Sequence, residues 1–288
     1  VYKRQARAGL AEALTLQSIG FQVRPGRETM PQALEQAEVA LQLDPALPEA
    51  HLARALVAMY YEWDYHAAKA AFDRAEGFGP NVARVYWWHE FYFTYVEHDF
   101  DAALAANMRA QELSPLDPGP RSREGTVRYL FGDLDGAERL FRALLAEAPG
   151  VSLLHSGLAD TLVRQGLTDE AVASMERAVE LGGPTVAWLG MLGGFYGLHG
   201  STEEGRHALQ QLETRSSEGY VSNFWIAVAH AGLGDLDAAF SSLEDARLDR
   251  DSNLLYAFFT PRAMGLQDDP RFPGVLRSIG LAHLIPLL

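Results

Sequence analysis

The stretch Gly132–Phe141 reads GDLDGAERLF: a glycine, two acidic residues, then at Ala137 the start of an apolar pattern. The phrase returns as GLTDEAVASM from Gly166, GSTEEGRHAL from Gly200 and GDLDAAFSSL from Gly234. Its small residues, Ala137, Ala171, Gly205 and Ala239, step by 34. Upstream, HDFDAALAAN places Ala103 another 34 back, and Ala68 and Ala33 precede it at steps of 35. A fixed period of this size marks a chain built from stacked supersecondary units.

Other landmarks keep the phase. Seven residues after each small residue come Ala40, Ala75, Ala110, Leu144, Ala178, Leu212 and Ala246. Four residues after it come Ala37, Phe72, Asn107, Phe141, Met175, Leu209 and Leu243, of which Asn107 is the misfit. Pro45, Pro80, Pro115 and Pro149 follow at the twelfth. The chemistry predicts a helix–turn–helix unit. Small residues seven apart share one helix face and let two helices approach, with a bulky residue one turn on filling the groove. Glycine suits a left-handed C-terminal position, the acidic residues favour the next helix N-terminus, and proline ends the pair.

With these landmarks the chain resembles the tetratricopeptide-repeat family, whose units have 34 residues and this pattern. The resemblance covers residues 6–250 and implies an all-α fold, a right-handed α-solenoid of about seven helix pairs. The first-helix aromatic of the family is often absent, and QVRPGRETM (22–30) reads as an insertion in the first unit with a turn at Pro25-Gly26. Residues 251–288 break the period and read as one or two capping helices, because a terminal repeat must cover its apolar face. Residues 1–5, VYKRQ, resemble translated sequencing-adapter sequence and are expected to form a non-native or disordered tail. The missing initiator Met suggests a fragment. YYEWDY (60–65), RDSNLLYAFFTP and DDPRFPGVLRSIGL resemble the repeat region of bacterial multidomain signalling proteins. In that group the array accompanies winged-helix, nucleotide-cyclase or protein-kinase modules.

Composition narrows the partners. The formal net charge of −14 disfavours direct binding of nucleic acid or an anionic membrane, both of which need a positive field. The absence of cysteine removes disulfides, zinc–thiolate sites and thiol nucleophiles, and fits a reducing cytoplasm. No run of about 20 apolar residues is present, so no membrane span is expected.

The motifs of catalysis are missing. HEFYF (89–93) begins like a zinc-binding helix but has Phe93 in place of the second histidine, and the nine histidines form no i,i+4 pair. GDLDG (132–136) lacks the downstream ligands of a calcium loop and reads as a turn with a helix N-terminus. No phosphate loop, dinucleotide fingerprint or nucleophile elbow occurs. The expectation is no enzyme, no metal and no cofactor.

In the family the first helix of each unit lines a concave surface through its second, fifth, ninth, twelfth and thirteenth positions. Carried onto this register, these are Ser122, Thr126 and Tyr129, then Ser156, Asp160 and Arg164, with Phe224 and Val228 in the seventh unit. In the third unit, whose register is shifted by one residue, Trp88, Tyr92 and Tyr95 are chosen from YWWHEFYFTY. Those aromatics either pack between repeats or form a shelf for a peptide. The carboxylate clamp of chaperone-binding members would need Lys and Asn where Ser122/Thr126 and Ser156/Asp160 stand, so a basic or mixed partner is easier.

LGMLGGFYGLHG (189–200) is the first helix of the sixth unit. Gly193 falls at the small packing position and Gly200 at the turn, leaving Gly190, Gly194 and Gly197 facing the groove. Interior glycines cost a helix about 1 kcal/mol each, so the stripe is expected to admit a close approach by a partner or by the chain's own C-terminal segment. The functional expectation is a non-enzymatic scaffold that binds a peptide or partner domain, as the sensory or regulatory part of a bacterial signalling protein. The alternative is a small-molecule sensor using the same groove.

Overall fold

The computed structural model describes residues 2–19, 23–260 and 264–288. Those residues form helices joined by turns and short irregular stretches, with no strand among them. The α-helices run in order α1 (Tyr2–Ile19), α2 (Gly26–Leu43), α3 (Pro48–Val57), α4 (Tyr65–Phe78), α5 (Ala83–Tyr92), α6 (Phe100–Leu113), α7 (Pro118–Leu130) and α8 (Leu134–Glu147). They continue as α9 (Ser152–Arg164), α10 (Thr168–Gly182), α11 (Val186–His199), α12 (Thr202–Glu218), α13 (Asn223–Gly232), α14 (Leu236–Leu248) and α15 (Phe272–Ser278). Consecutive helices pack as antiparallel pairs, seen in α1–α2, α3–α4, α5–α6, α9–α10 and α11–α12. This is an all-α fold of the α-solenoid class.

The local chemistry follows the repeat. Gly132, Gly166, Gly200 and Gly234 all take positive φ, the left-handed turn that only glycine enters without strain. The aspartates after the turns cap the next helix: Asp64, Asp99, Asp133 and Asp235 accept from Ala67, Ala102, Gly136 and Ala238 at 2.9–3.0 Å. The units with 35-residue steps differ in one way. α3 and α5 each end in a π-helical turn, Ala58–Glu62 and Phe93–Glu97, which takes up the extra residue. Trp63 and His98 then occupy the left-handed position without glycine.

The chain divides into two compact units. The first comprises residues up to Pro120 together with 247–255 and 277–284. Its helices meet through small residues: Ala11, Ala37 and Ala53 form one buried cluster, and Ala8, Ala40, Leu47 and Ala50 another. Asn107 is buried yet satisfied, donating to the Pro120 carbonyl at 3.0 Å and accepting from Gln111 at 2.7 Å. Its amide therefore ties α6 to the first turn of α7.

Two details of the first unit depart from the sequence expectation. α1 begins at Tyr2, and Arg4 pairs with Asp44 at 2.7 Å, so residues 2–5 are drawn into the helix; Val1 lies outside the described residues. α2 begins at Gly26, so residues 26–30 of the expected insertion are helical, while Gln22 lies outside the described residues.

The second unit comprises residues 121–246, 256–276 and 285–288. Phe141 of α8 is fully buried. A Cβ on Gly125 of α7 would sit 2.7 Å from its ring, and one on Gly157 of α9 would collide with it. Both glycines leave room for one ring. Leu189, Leu212, Val221, Ile226 and Ala229 form a further core cluster among α11, α12 and α13.

The segment after α14 is not a simple pair of helices on the last repeat. It consists of short 3-10 turns and the single helix α15, with residues 261–263 outside the described residues. Residues 256–276 join the second unit, burying Phe258, Phe259, Leu266 and Phe272. Residues 247–255 and 277–284 join the first. There Ser252 bonds Ser18 at 2.7 Å, Arg250 stacks on Trp63 at 4.2 Å, and Tyr65 donates to the Ile279 carbonyl at 2.7 Å.

Candidate functional site

The aromatic helix α5 has two faces. Trp88, Tyr92 and Tyr95 follow one another at helical spacing and are only 9%, 4% and 6% exposed. Trp88 meets Tyr60 edge-on at 6.2 Å, and Tyr92 Oη donates to the Tyr65 carbonyl at 3.1 Å. Burial and the neighbouring Glu97 push the Tyr92 phenol upward. This face is mostly packing. Arg84, Trp87 and Phe91 occupy the neighbouring stripe, with Arg84 exposed and both rings half-buried.

A cleft of about 430 Å³ opens in the first unit beside Trp87 and Trp88. Glu12 and Leu16 of α1, Arg84 of α5 and Asp117 of the α6–α7 turn also line it. Arg84 is bound to Glu12 at 2.5 Å. Asp117 Oδ1 accepts from the Gly119 backbone at 2.9 Å. Leu116, beside Asp117, is 97% exposed. Tyr92 instead lines a separate, more open cleft of about 690 Å³ with Tyr65, Lys69, Glu97 and His283. The three aromatics chosen from sequence therefore do not form one shelf. Glu12, Arg84, Trp87 and Asp117 were missed. The Arg84–Trp87–Phe91 spacing could have marked a second stripe, but no local pattern joins it to α1.

In the second unit, Tyr129 and Arg164 do come together: Arg164 donates to the Tyr129 carbonyl at 2.7 Å and lies 5.2 Å over its ring. Ser122 and Ser156 are buried, the latter donating to the Leu153 carbonyl at 3.0 Å. Thr126 is half-buried. Asp160 is also half-buried, and its carboxyl is pushed well above the usual carboxylate range by desolvation. Phe224 is fully buried, edge-on to Trp225 at 4.9 Å, so it belongs to packing and not to an accessible face.

The glycines of α11 do not face an open groove; of the two approaches expected, that of the chain's own C-terminal segment is seen at Gly194. A Cβ on Gly190 would lie 2.6 Å from the Trp225 carbonyl oxygen, and one on Gly197 would strike the Gly232 carbonyl. A Cβ on Gly194 would lie 2.5 Å from the Met264 methyl and 3.2 Å from the Val228 carbonyl. The stripe is covered by α13 and by Met264 of the C-terminal segment. Gly193 does take the predicted packing position, facing Ala229 and Ala208.

Among the described residues, no group of three His, Asp or Glu side chains converges as a metal site, and no helix is long and apolar enough to cross a membrane. The clefts are lined by aromatic, acidic and apolar side chains.

Residues 129–190 match the tetratricopeptide-repeat family model. Yeast Tom70 is 19% identical, with a TM-score of 0.59 over 96% of this chain and 58% of that one. PilW, a widely conserved type IV pilus biogenesis factor, is 20% identical, with a TM-score of 0.53 over 71% of this chain and 92% of its own. Pseudomonas aeruginosa pilF is 19% identical, with a TM-score of 0.50 over 73% of this chain and 93% of its own. No curated protein sequence matches the chain. The chain thus has the fold of tetratricopeptide-repeat structures, and residues 129–190 carry the repeat's sequence pattern.

Proposed function

We propose that the protein is a non-enzymatic interaction scaffold that captures a peptide segment of a partner protein. The observation that carries this reading is the cleft at Trp87, where half-buried aromatic surface lies beside exposed Leu116 and Asp117. Accessible aromatic and aliphatic groups around a preformed recess are the anchors on which peptide interfaces depend. The repeat pattern in residues 129–190 supports the same reading. Its proposed setting is the sensory or regulatory part of a cytoplasmic bacterial signalling protein, a reading supported by the sequence phrases at 60–65 and 251–288. A winged-helix, cyclase or kinase module encoded with it would bear that out.

A second reading, small-molecule sensing, is favoured by the cleft volume of about 430 Å³, which lies in the range of small-ligand sites. The purified chain tested on a peptide array and by thermal shift against a metabolite panel separates the two. Saturable peptide binding that Trp87→Ala weakens supports the scaffold. A metabolite that raises the melting temperature while no peptide binds replaces it with the sensor, and turnover of a substrate overturns both.

A further inference from the structure

We propose that the cleft beside Trp87 seats one arginine or lysine side chain of the partner peptide, with the cation on the Trp87 indole and the Asp117 carboxylate beside it. This rests on the peptide-capture reading above and adds the chemistry of its anchor.

The geometry puts the two recognition groups together. A Cβ built on Gly119 would lie 3.1 Å from Asp117 Oδ1 and 3.2 Å from the six-membered ring of Trp87. The carboxylate oxygen and the outer edge of the indole therefore both lie close to Gly119, and a side chain at position 119 would crowd both. A cation seated in the cleft against the indole would be attracted through the ring quadrupole, with the Asp117 carboxylate on the same lining.

The charges are not already spent on each other. Asp117 is exposed, its one hydrogen bond comes from the Gly119 backbone to Oδ1, and it makes no ion pair among the described residues. Arg84, the cation on the described lining, is held by Glu12 at 2.5 Å. The lining is left with one net negative charge, that of Asp117. Leu16, Ala83, Ala110 and Pro120 complete the walls and suit the aliphatic stem of a long basic side chain. An acidic side chain would meet Asp117 and a chain of net charge −14.

The test uses the full chain labelled with ¹⁵N, reading the indole N–H signals of its five tryptophans, with Trp87 assigned by Trp87→Phe. The titrants are N-acetyl-arginine amide and its neutral isostere, N-acetyl-citrulline amide. Expected is a saturable shift at Trp87 with arginine, at least about threefold weaker with citrulline and in Asp117→Asn, and weakening with salt. Asparagine keeps the acceptor for Gly119, so the turn persists while the charge is lost. Equal response to citrulline, indifference to Asp117→Asn, or no response at Trp87 overturns the proposal.

Blocked heptapeptides with one central arginine should compete for the same seat. If peptides bind without regard to arginine or Asp117, peptide capture stands and this anchor falls. If arginine amide seats but no arginine peptide competes, peptide capture itself falls, and the peptide source falls with it.

Discussion

Gly194 of α11 and Gly232 of α13 meet backbone to backbone: a Cβ on Gly232 would fall on the Cα and carbonyl of Gly194. The helices approach this closely because neither carries a side chain at the crossing. Gly232→Ala gains about 1 kcal/mol of helix propensity but forces the helices apart, so a net loss of about 1–3 kcal/mol is expected. Gly9, in α1 with open space around it, is the control, and Gly9→Ala should stabilise by about 0.5–1 kcal/mol. Urea denaturation of the two variants reads both signs. A stabilised Gly232→Ala would show that the crossing is loose.

Tyr92 and Tyr95 test which face of α5 is core. At 4% and 6% exposure, their replacement by alanine should each cost about 3–5 kcal/mol, with peptide affinity of the folded fraction little changed. Trp87→Ala should show the reverse: a small melting change and a large loss of binding. A variant pair with the opposite behaviour would place the docking surface on the buried stripe.

The repeat was legible because its signals are local. Gly132 before Asp133, and Ala137 seven residues before Leu144, fix turn, cap and packing face without reference to the rest of the chain. The extra residue in two units was visible as a 35-residue step, but its absorption in the π turns before Trp63 and His98 was not. The candidate site was less legible. α5 is aromatic on several sides, so its pattern cannot say which stripe the neighbours bury. Glu12 and Asp117 join the lining beside Trp87 from distant positions in the chain, and the cover over the α11 glycines comes from α13, with Met264 of the C-terminal segment over Gly194.

Further along the C-terminal segment, residues 277–284 belong to the first unit. Leu281 is fully buried, and His283 Nε2 lies 2.6 Å from the Val96 carbonyl oxygen, although both residues follow the last repeat. Leu281→Ala is expected to cost about 2–5 kcal/mol, as a mutation inside a repeat would. A loss under about 1 kcal/mol in chemical denaturation would mean that residues 277–284 rest on the helices without supporting them.

Asp160 gives the chain a pH-dependent weakness. Its half-buried carboxyl makes no hydrogen bond or ion pair among the described residues, and desolvation raises its pKa well above the usual value. The unfolded chain ionises this group near pH 3.9. As pH rises from there toward the folded value, the folded state holds the proton more than the unfolded state does, so stability falls. Below about pH 4 both states are protonated and the effect vanishes. Asp160→Asn should therefore stabilise the protein at pH 7 and do so much less at pH 4, read as the change in urea midpoint. A basic partner bound against α9 would draw the pKa down and recover the loss, so the stabilisation by asparagine should shrink in the complex. If the midpoint difference is the same at both pH values, the carboxyl is solvated and carries no such penalty.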